Sequence, residues 1–267
     1  GESATRADRA QLRTELGLDK PLAVQFGSYL ANLAQGDFGR SIHTHLPVVE
    51  LLKARIPATA RLALVAFVIA ILIGLPLGIA AALRSNHWPD KLATLLSLTL
   101  SAMPAFWLGP LLMLVFALWL RLLPVSGMET PGSIVLPALT LGFGLAAILT
   151  RMTRASLLEV LHEDFVRTAR AKGLPARIVI LRHAMRAALL PVVTVLGLQL
   201  GGLLAGAVIT ETVFGWEGLG RLLVESIEKR DYPVTQACVL VIALAYVFIN
   251  LLTELLYSRL DPRVRHA

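Results

Sequence analysis

The chain has 267 residues, of which 56% are hydrophobic and only 16% charged. An average soluble protein carries about 25% charged residues. Five segments hold no Asp, Glu, Lys or Arg at all: 62–83, 92–120, 130–150, 187–210 and 232–253. This excludes a soluble enzyme, a disordered chain and a disulfide scaffold; Cys238 is the single cysteine. The net charge of +7 reads as cytoplasmic loops of a membrane protein rather than as a nucleic-acid surface.

A spanning helix needs about 20 apolar residues to cross a hydrocarbon core about 30 Å thick. Each charge-free segment meets that length, so the chain reads as an all-α, polytopic membrane bundle with five spans. Ahead of them, 8–34 reads as two short amphipathic helices broken at Gly17 and restarted near Pro21. Leu12, Leu16, Val24, Leu30 and Leu33 would pack together or lie on the membrane. Gly36-Asp37-Phe38-Gly39-Arg40-Ser41 is a turn cluster, and Pro47 opens a short helix that leads to Pro57 and the first span. His43 and His45 lack a third ligand and read as a solvated loop, with no metal site.

The longest window, 92–120, must tilt, bend or begin outside the hydrocarbon, and Pro104 and Pro110 favour a bend. In the polar stretch 151–186, Leu157, Leu161 and Phe165 recur every four residues, predicting one helix with an apolar face. Gly173 suits a left-handed helix end and Pro175 the first turn of the next helix. The product is a basic helix–turn–helix corner, a pattern that also fits an amphipathic helix resting on anionic lipid. Within the spans, Gly197, Gly201 and Ala205 form one row of small residues with Gly202 and Gly206 beside it; Gly74, Gly78 and Ala82 form another. Such rows let helices approach closely, within the bundle or between subunits.

Lysine and arginine set the orientation. Loop 151–186 has eight, loop 84–91 two and the tail 254–267 three, against one in loop 121–129 and three in loop 211–231. By the positive-inside rule, 151–186 and the C-terminus are cytoplasmic. Residues 1–56 then lie outside, which predicts a further spanning helix upstream and six spans in the intact protein. Loop 211–231 carries five acids against three bases and reads either as a solvated outer loop or, if the chain has an extracytoplasmic partner, as its candidate contact surface at Glu211, Phe214, Trp216 and Glu217.

The five windows contain no group able to relay protons or sense voltage. No G-x-x-x-x-G-K-[ST], H-E-x-x-H or G-x-S-x-G occurs, so the chain has no phosphate-cradling loop and reads as a non-enzyme. Uphill transport would draw its energy from another subunit. A self-sufficient facilitator or secondary carrier, present as a homo-oligomer, also fits the residues alone.

Asp164-Phe165-Val166-Arg167-Thr168-Ala169-Arg170-Ala171-Lys172-Gly173-Leu174, then Arg182-His183-Ala184 and Leu189-Leu190-Pro191, resembles the cytoplasmic loop of ABC-importer permeases. It is most similar to the dipeptide, oligopeptide and nickel branch. Leu16-Gly17-Leu18-Asp19-Lys20-Pro21-Leu22, Gly36-Asp37-Phe38-Gly39, Pro57-Ala58-Thr59, Glu211-Thr212-Val213-Phe214, Gly218-Leu219-Gly220 and Arg230-Asp231-Tyr232-Pro233 follow in family order. Where the general permease signature has Glu-Ala-Ala, this chain has Thr168-Ala169-Arg170.

The resemblance implies a type I ABC importer permease domain over 57–257 in the bacterial inner membrane. It would follow an extracytoplasmic segment, 1–56, and precede a cytoplasmic tail, 258–267. It implies a second, homologous permease as heterodimer partner, two cytoplasmic ATPases holding ATP and Mg, and an extracytoplasmic binding protein. The chain itself would carry no cofactor. Thr168, Ala169, Arg170, Ala171, Lys172, Gly173 and Leu174 would form the loop that seats in the ATPase groove. Dipeptides, oligopeptides, glutathione and chelated nickel are all substrates within this branch.

Overall fold

A computed structural model describes residues 19–260, with side chains described as far as Leu255. The helix expected over 8–16, with Leu12 and Leu16, and most of the tail 258–267 lie outside those residues. The described chain is a helical bundle. α1 (Leu22–Ala34) starts directly after Pro21 and buries no side chain. α2 (Val48–Leu83) is one unbroken 36-residue helix, about 54 Å long at 1.5 Å per residue. The separate short helix expected after Pro47 does not exist. Pro57 and Pro76 are absorbed within α2, because in apolar surroundings neighbouring helices hold the backbone where proline removes one bond.

The window 92–120 is not one straight span. It folds as α3 (Trp88–Ala102) and α4 (Ala105–Trp119), which meet at 110°. Pro104 lacks an N–H and forces Met103 out of the helical region, to φ −83° and ψ 120°. Pro110 lies inside α4 without such a break, and a π-helical stretch, Met113–Trp119, follows it. α5 (Val135–Val160) continues ten residues past its charge-free window. α6 (Asp164–Ala171) is short, and α7 (Ala176–Phe214) is the longest helical run, with a π-helical turn at Val179–Ala184. α8 (Leu219–Glu228) and α9 (Tyr232–Leu260) complete the order. α2, α5, α7 and α9 are each long and apolar enough to cross a bilayer, and the bent α3–α4 pair brings the number to five if it crosses as one span.

The helix predicted through Leu157, Leu161 and Phe165 ends sooner. α5 stops at Val160, Glu163 turns extended, and Phe165 restarts the chain in α6, where it is exposed. Leu157 alone of the three is fully buried.

Small residues place α2 against α5. A Cβ on Gly74 would lie 2.9 Å from the Ala146 carbonyl oxygen, and one on Gly78 2.7 Å from that of Thr150. From the other side, a Cβ on Gly142 would meet the Ala66 carbonyl at 2.9 Å. The two backbones therefore touch, and dispersion over this seam replaces the hydrophobic drive that lipid cannot supply. The central core is built on it by Leu62, Ala66 and Ala70 of α2, Leu141, Leu145 and Leu149 of α5, and Val192, Leu196 and Leu203 of α7.

Two further clusters mark the ends. Leu157, Val166, Ala169, Val179, Ala184 and Met185 close one end with Ala82. At the other, Val48 and Leu52 of α2 pack on Leu219 and on Val234, Ala237 and Cys238 of α9. Beyond that cluster α9 keeps one face on α7 and exposes Val239, Leu244, Val247, Phe248, Leu251 and Leu255 on the other, in the manner of a lipid-facing helix.

Candidate functional site

The first candidate is the corner between α6 and α7. Asp164 opens α6, where its charge suits the helix N-terminus, and it pairs with Arg167 at 3.2 Å. The Thr168 hydroxyl donates to the Asp164 carbonyl at 2.9 Å. Val166 and Ala169 form the inward face, buried against Leu157, Val179 and Met185. Thr168, Arg170, Ala171, Lys172 and Gly173 are exposed, and Leu174 is half-buried on the same cluster. Within the expected coupling segment Ala169 is thus the buried member, on the inner face of α6. A three-to-four-residue period puts it beneath the helix, where it seats the corner on the bundle.

Gly173 takes φ 75°, and its N–H donates to the Arg170 carbonyl at 3.0 Å. Nothing lies within 4 Å of where its Cβ would be. Glycine is needed there for the left-handed turn and not for space.

The second candidate is a groove of about 300 Å³ where the α3–α4 elbow faces α5 and α7. Its wall includes Ser101, Met103, Thr140, Gly144, Gln199 and Gly202, with no charged side chain. The glycines expected to pack helices divide here. A Cβ on Gly201 would sit 2.7 Å from the Tyr246 ring, and one on Gly197 would overlap Thr253, so these two join α7 to α9. Gly206 faces Leu141 across the groove, where its Cβ would come to 3.3 Å, while nothing lies within 4 Å of a Cβ at Gly202. Gly202 is a groove residue and makes no helix seam among the described residues.

The third candidate lies at the opposite end of the bundle from Gly173. Glu211, Phe214 and Trp216 were expected on an outer loop, but they are buried at 0%, 1% and 2% exposure. α7 runs four residues past the charge-free window and carries Glu211 inward. Its Oε1 accepts from the Thr59 hydroxyl at 2.6 Å; its Oε2 accepts from the N–H groups of Gly220 at 2.7 Å and Arg221 at 3.1 Å. The carboxylate thus caps the first turn of α8, where orphan N–H groups and the helix dipole favour an anion. Gly218 and Gly220 are glycines because Cβ atoms there would meet the Glu211 carboxylate and the Val208 backbone. The Trp216 indole N–H donates to the Ala58 carbonyl at 3.0 Å. Only Glu217 of the four is exposed; it pairs with Arg55 at 2.6 Å beside a groove of about 410 Å³ lined by Leu46, Glu50 and Met128.

Two polar ties escaped the sequence reading. Asp90 on α3 accepts two bonds from the Arg154 guanidinium of α5, at 2.5 and 2.9 Å, with its side chain 5% exposed. Asp231 accepts from the Ser41 hydroxyl at 2.5 Å and from the Ile42 N–H at 3.2 Å, binding the segment before α2 to the start of α9.

Residues 74–266 match the family described as the binding-protein-dependent transport system inner membrane component. The chain belongs to that family. It is 46% identical over 257 residues to the glutathione transport system permease protein GsiC of Salmonella typhimurium, covering 96% of this chain and 84% of the relative. Identity is also 46% to the proteins of that name in Pectobacterium atrosepticum (100% and 87% covered) and Escherichia coli K12 (96% and 83%). The fold is shared with the MetNI methionine ABC transporter solved in inward-facing conformations, at TM-score 0.68 and 17% identity over 80% of this chain and 97% of that one. An amino acid ABC transporter gives TM-score 0.59 at 18% identity over 80% and 94%.

The chain is thus the permease subunit of an ABC importer, a multi-pass inner-membrane protein of the type I permease fold. A self-sufficient facilitator or carrier is set aside. Permeases of this family work with ATPase and substrate-binding partners, nucleotide binding resides on the ATPases, and the permeases themselves are normally non-enzymatic.

Proposed function

We propose that this permease forms half of the pathway of a glutathione or short-peptide importer, paired with a second, homologous permease. The similarity to three proteins named for glutathione transport, across nearly the whole chain, supports the substrate class. The corner around Gly173 faces the cytoplasm in this reading, as its basic residues favour. Each of two ATPases receives one permease corner, and ATP-driven closure of the ATPase pair moves the corners together. The two permeases then pass between inward-open and outward-open states, since closure binds one state better than the other. The binding protein docks at the opposite end, where the groove beside Glu217 and Arg55 offers an exposed, charge-bearing surface. ATP is hydrolysed on the ATPases, and this chain contributes binding, gating and coupling.

One observation carries the coupling assignment. The exposed, left-handed turn at Gly173 follows a helix packed on the bundle through Val166 and Ala169, so a push on it reaches Leu157 of α5 and Val179 and Met185 of α7. The test is glutathione uptake by the complete importer in proteoliposomes with Gly173→Val. ATP hydrolysis should persist while uptake falls, with normal insertion. Wild-type uptake in that variant would defeat the assignment.

A further inference from the structure

We infer that Gln199 is the substrate-contacting, specificity-determining residue of this permease, and that the elbow groove around it is where the peptide passes. The inference rests on the proposed peptide-import function and adds to it the residue and the chemistry of contact.

Three observations converge on the groove. The first is the break at Met103 and Pro104. Pro104 has no N–H, so the Leu100 carbonyl, on the groove wall, has no donor four residues on. Irregular backbone at membrane depth persists only where protein buries it or water reaches it, and this elbow opens on a cavity of about 300 Å³.

The second is the pair of open glycines. Gly144 in α5 and Gly202 in α7 lie inside helices, and nothing would touch a Cβ on either. Glycine in a helix interior is destabilising relative to alanine. Neighbouring helices require Gly74, Gly78, Gly142, Gly197 and Gly201, but no group in the described chain requires these two. Their vacancy keeps the groove wide enough for a passing molecule.

The third is the polar lining. Ser101 and Thr140 turn their hydroxyls back on their own helices, to the Leu98 carbonyl at 3.5 Å and the Leu136 carbonyl at 2.8 Å. Gln199 shares the wall, near the middle of the charge-free window 187–210, and its amide carries both a donor and an acceptor. That pairing matches a peptide bond, which presents one N–H and one C=O. A groove without charge would hold a zwitterionic peptide weakly, as release on the far side demands.

The occupant argued here is the peptide. A helix of the partner permease filling the groove is the competing outcome, and one set of variants separates them. In the complete importer in proteoliposomes, Gln199→Leu should cut glutathione uptake by about tenfold, the size of one lost hydrogen bond to a polar ligand. ATP hydrolysis stimulated by the loaded binding protein should be retained, and Gln199→Asn should restore part of the uptake. The thiol introduced by Gly202→Cys should react with a small water-soluble thiol reagent and be shielded during turnover; Cys238 is buried and stays silent. Unchanged uptake in Gln199→Leu, or cross-linking of the Gly202→Cys variant to the partner permease in place of labelling, overturns the inference. Failure of the unmutated importer to take up any peptide would instead strike the function on which the inference rests.

Discussion

The Thr59 hydroxyl donates to Glu211 at 2.6 Å while its oxygen accepts the Leu219 N–H at 2.7 Å, so one threonine side chain joins α2, α7 and the start of α8. Replacing Glu211 with alanine leaves that hydroxyl and two helix-initiating N–H groups buried without an acceptor. Each unsatisfied group costs about 1–3 kcal/mol, so Glu211→Ala should fail to accumulate as folded protein. Glu211→Gln keeps an oxygen for the α8 N–H groups and should retain a folded peak in detergent with a lowered melting temperature. Equal melting for Glu211→Ala and wild type would show that α8 is held by apolar contacts alone.

Asp90 and Arg154 form a paired ion bridge between α3 and α5. Removing one partner strands the other charge, at about 3–5 kcal/mol. Arg154→Met alone, which strands the buried Asp90 carboxylate, should therefore melt well below Asp90→Leu combined with Arg154→Met, in which no charge is left unpaired. A double variant less stable than the single one would contradict this order.

The glycines of α7 predict opposite responses at neighbouring positions. Gly201→Leu collides with Tyr246 and should detach α9, reducing folded yield. Gly202→Ala meets open space and should hold or raise the melting temperature, by up to about 1 kcal/mol of stability, because alanine narrows the unfolded ensemble. Size-exclusion profiles and thermal melts of the two variants decide it.

Gly173→Asn should be milder than Gly173→Val, since asparagine visits the left-handed region and a β-branched residue does not. Uptake measured in parallel should rank glycine, asparagine, valine. Equal loss in both variants would point to a need for bare backbone and not for the turn.

The long helices were legible because charge is expelled from hydrocarbon whatever the packing, so charge-free windows trace α2, α5, α7 and α9 on the sequence. The same rule hid what lies at their ends. Glu211 sits one residue past a window and reads as loop, although helix geometry carries it inward to cap α8. Asp90 and Arg154 are 64 residues apart and read as two ordinary loop charges. The four-residue spacing of Leu157, Leu161 and Phe165 describes a helix that Glu163 interrupts, and spacing alone does not register a break. Glycine rows mark close approach without saying what approaches, which is why Gly201 and Gly202 could be told apart only in three dimensions.

The tie between Ser41 and Asp231, with Val48 and Leu52 packed on Val234 and Cys238, fastens the beginning of the first long helix to the beginning of the last. The bundle is therefore closed into a ring at that end, although its chain is linear. A protease nick in the 121–132 connection, far along the sequence from this clasp, should leave two fragments that still migrate together in mild detergent and separate only on denaturation.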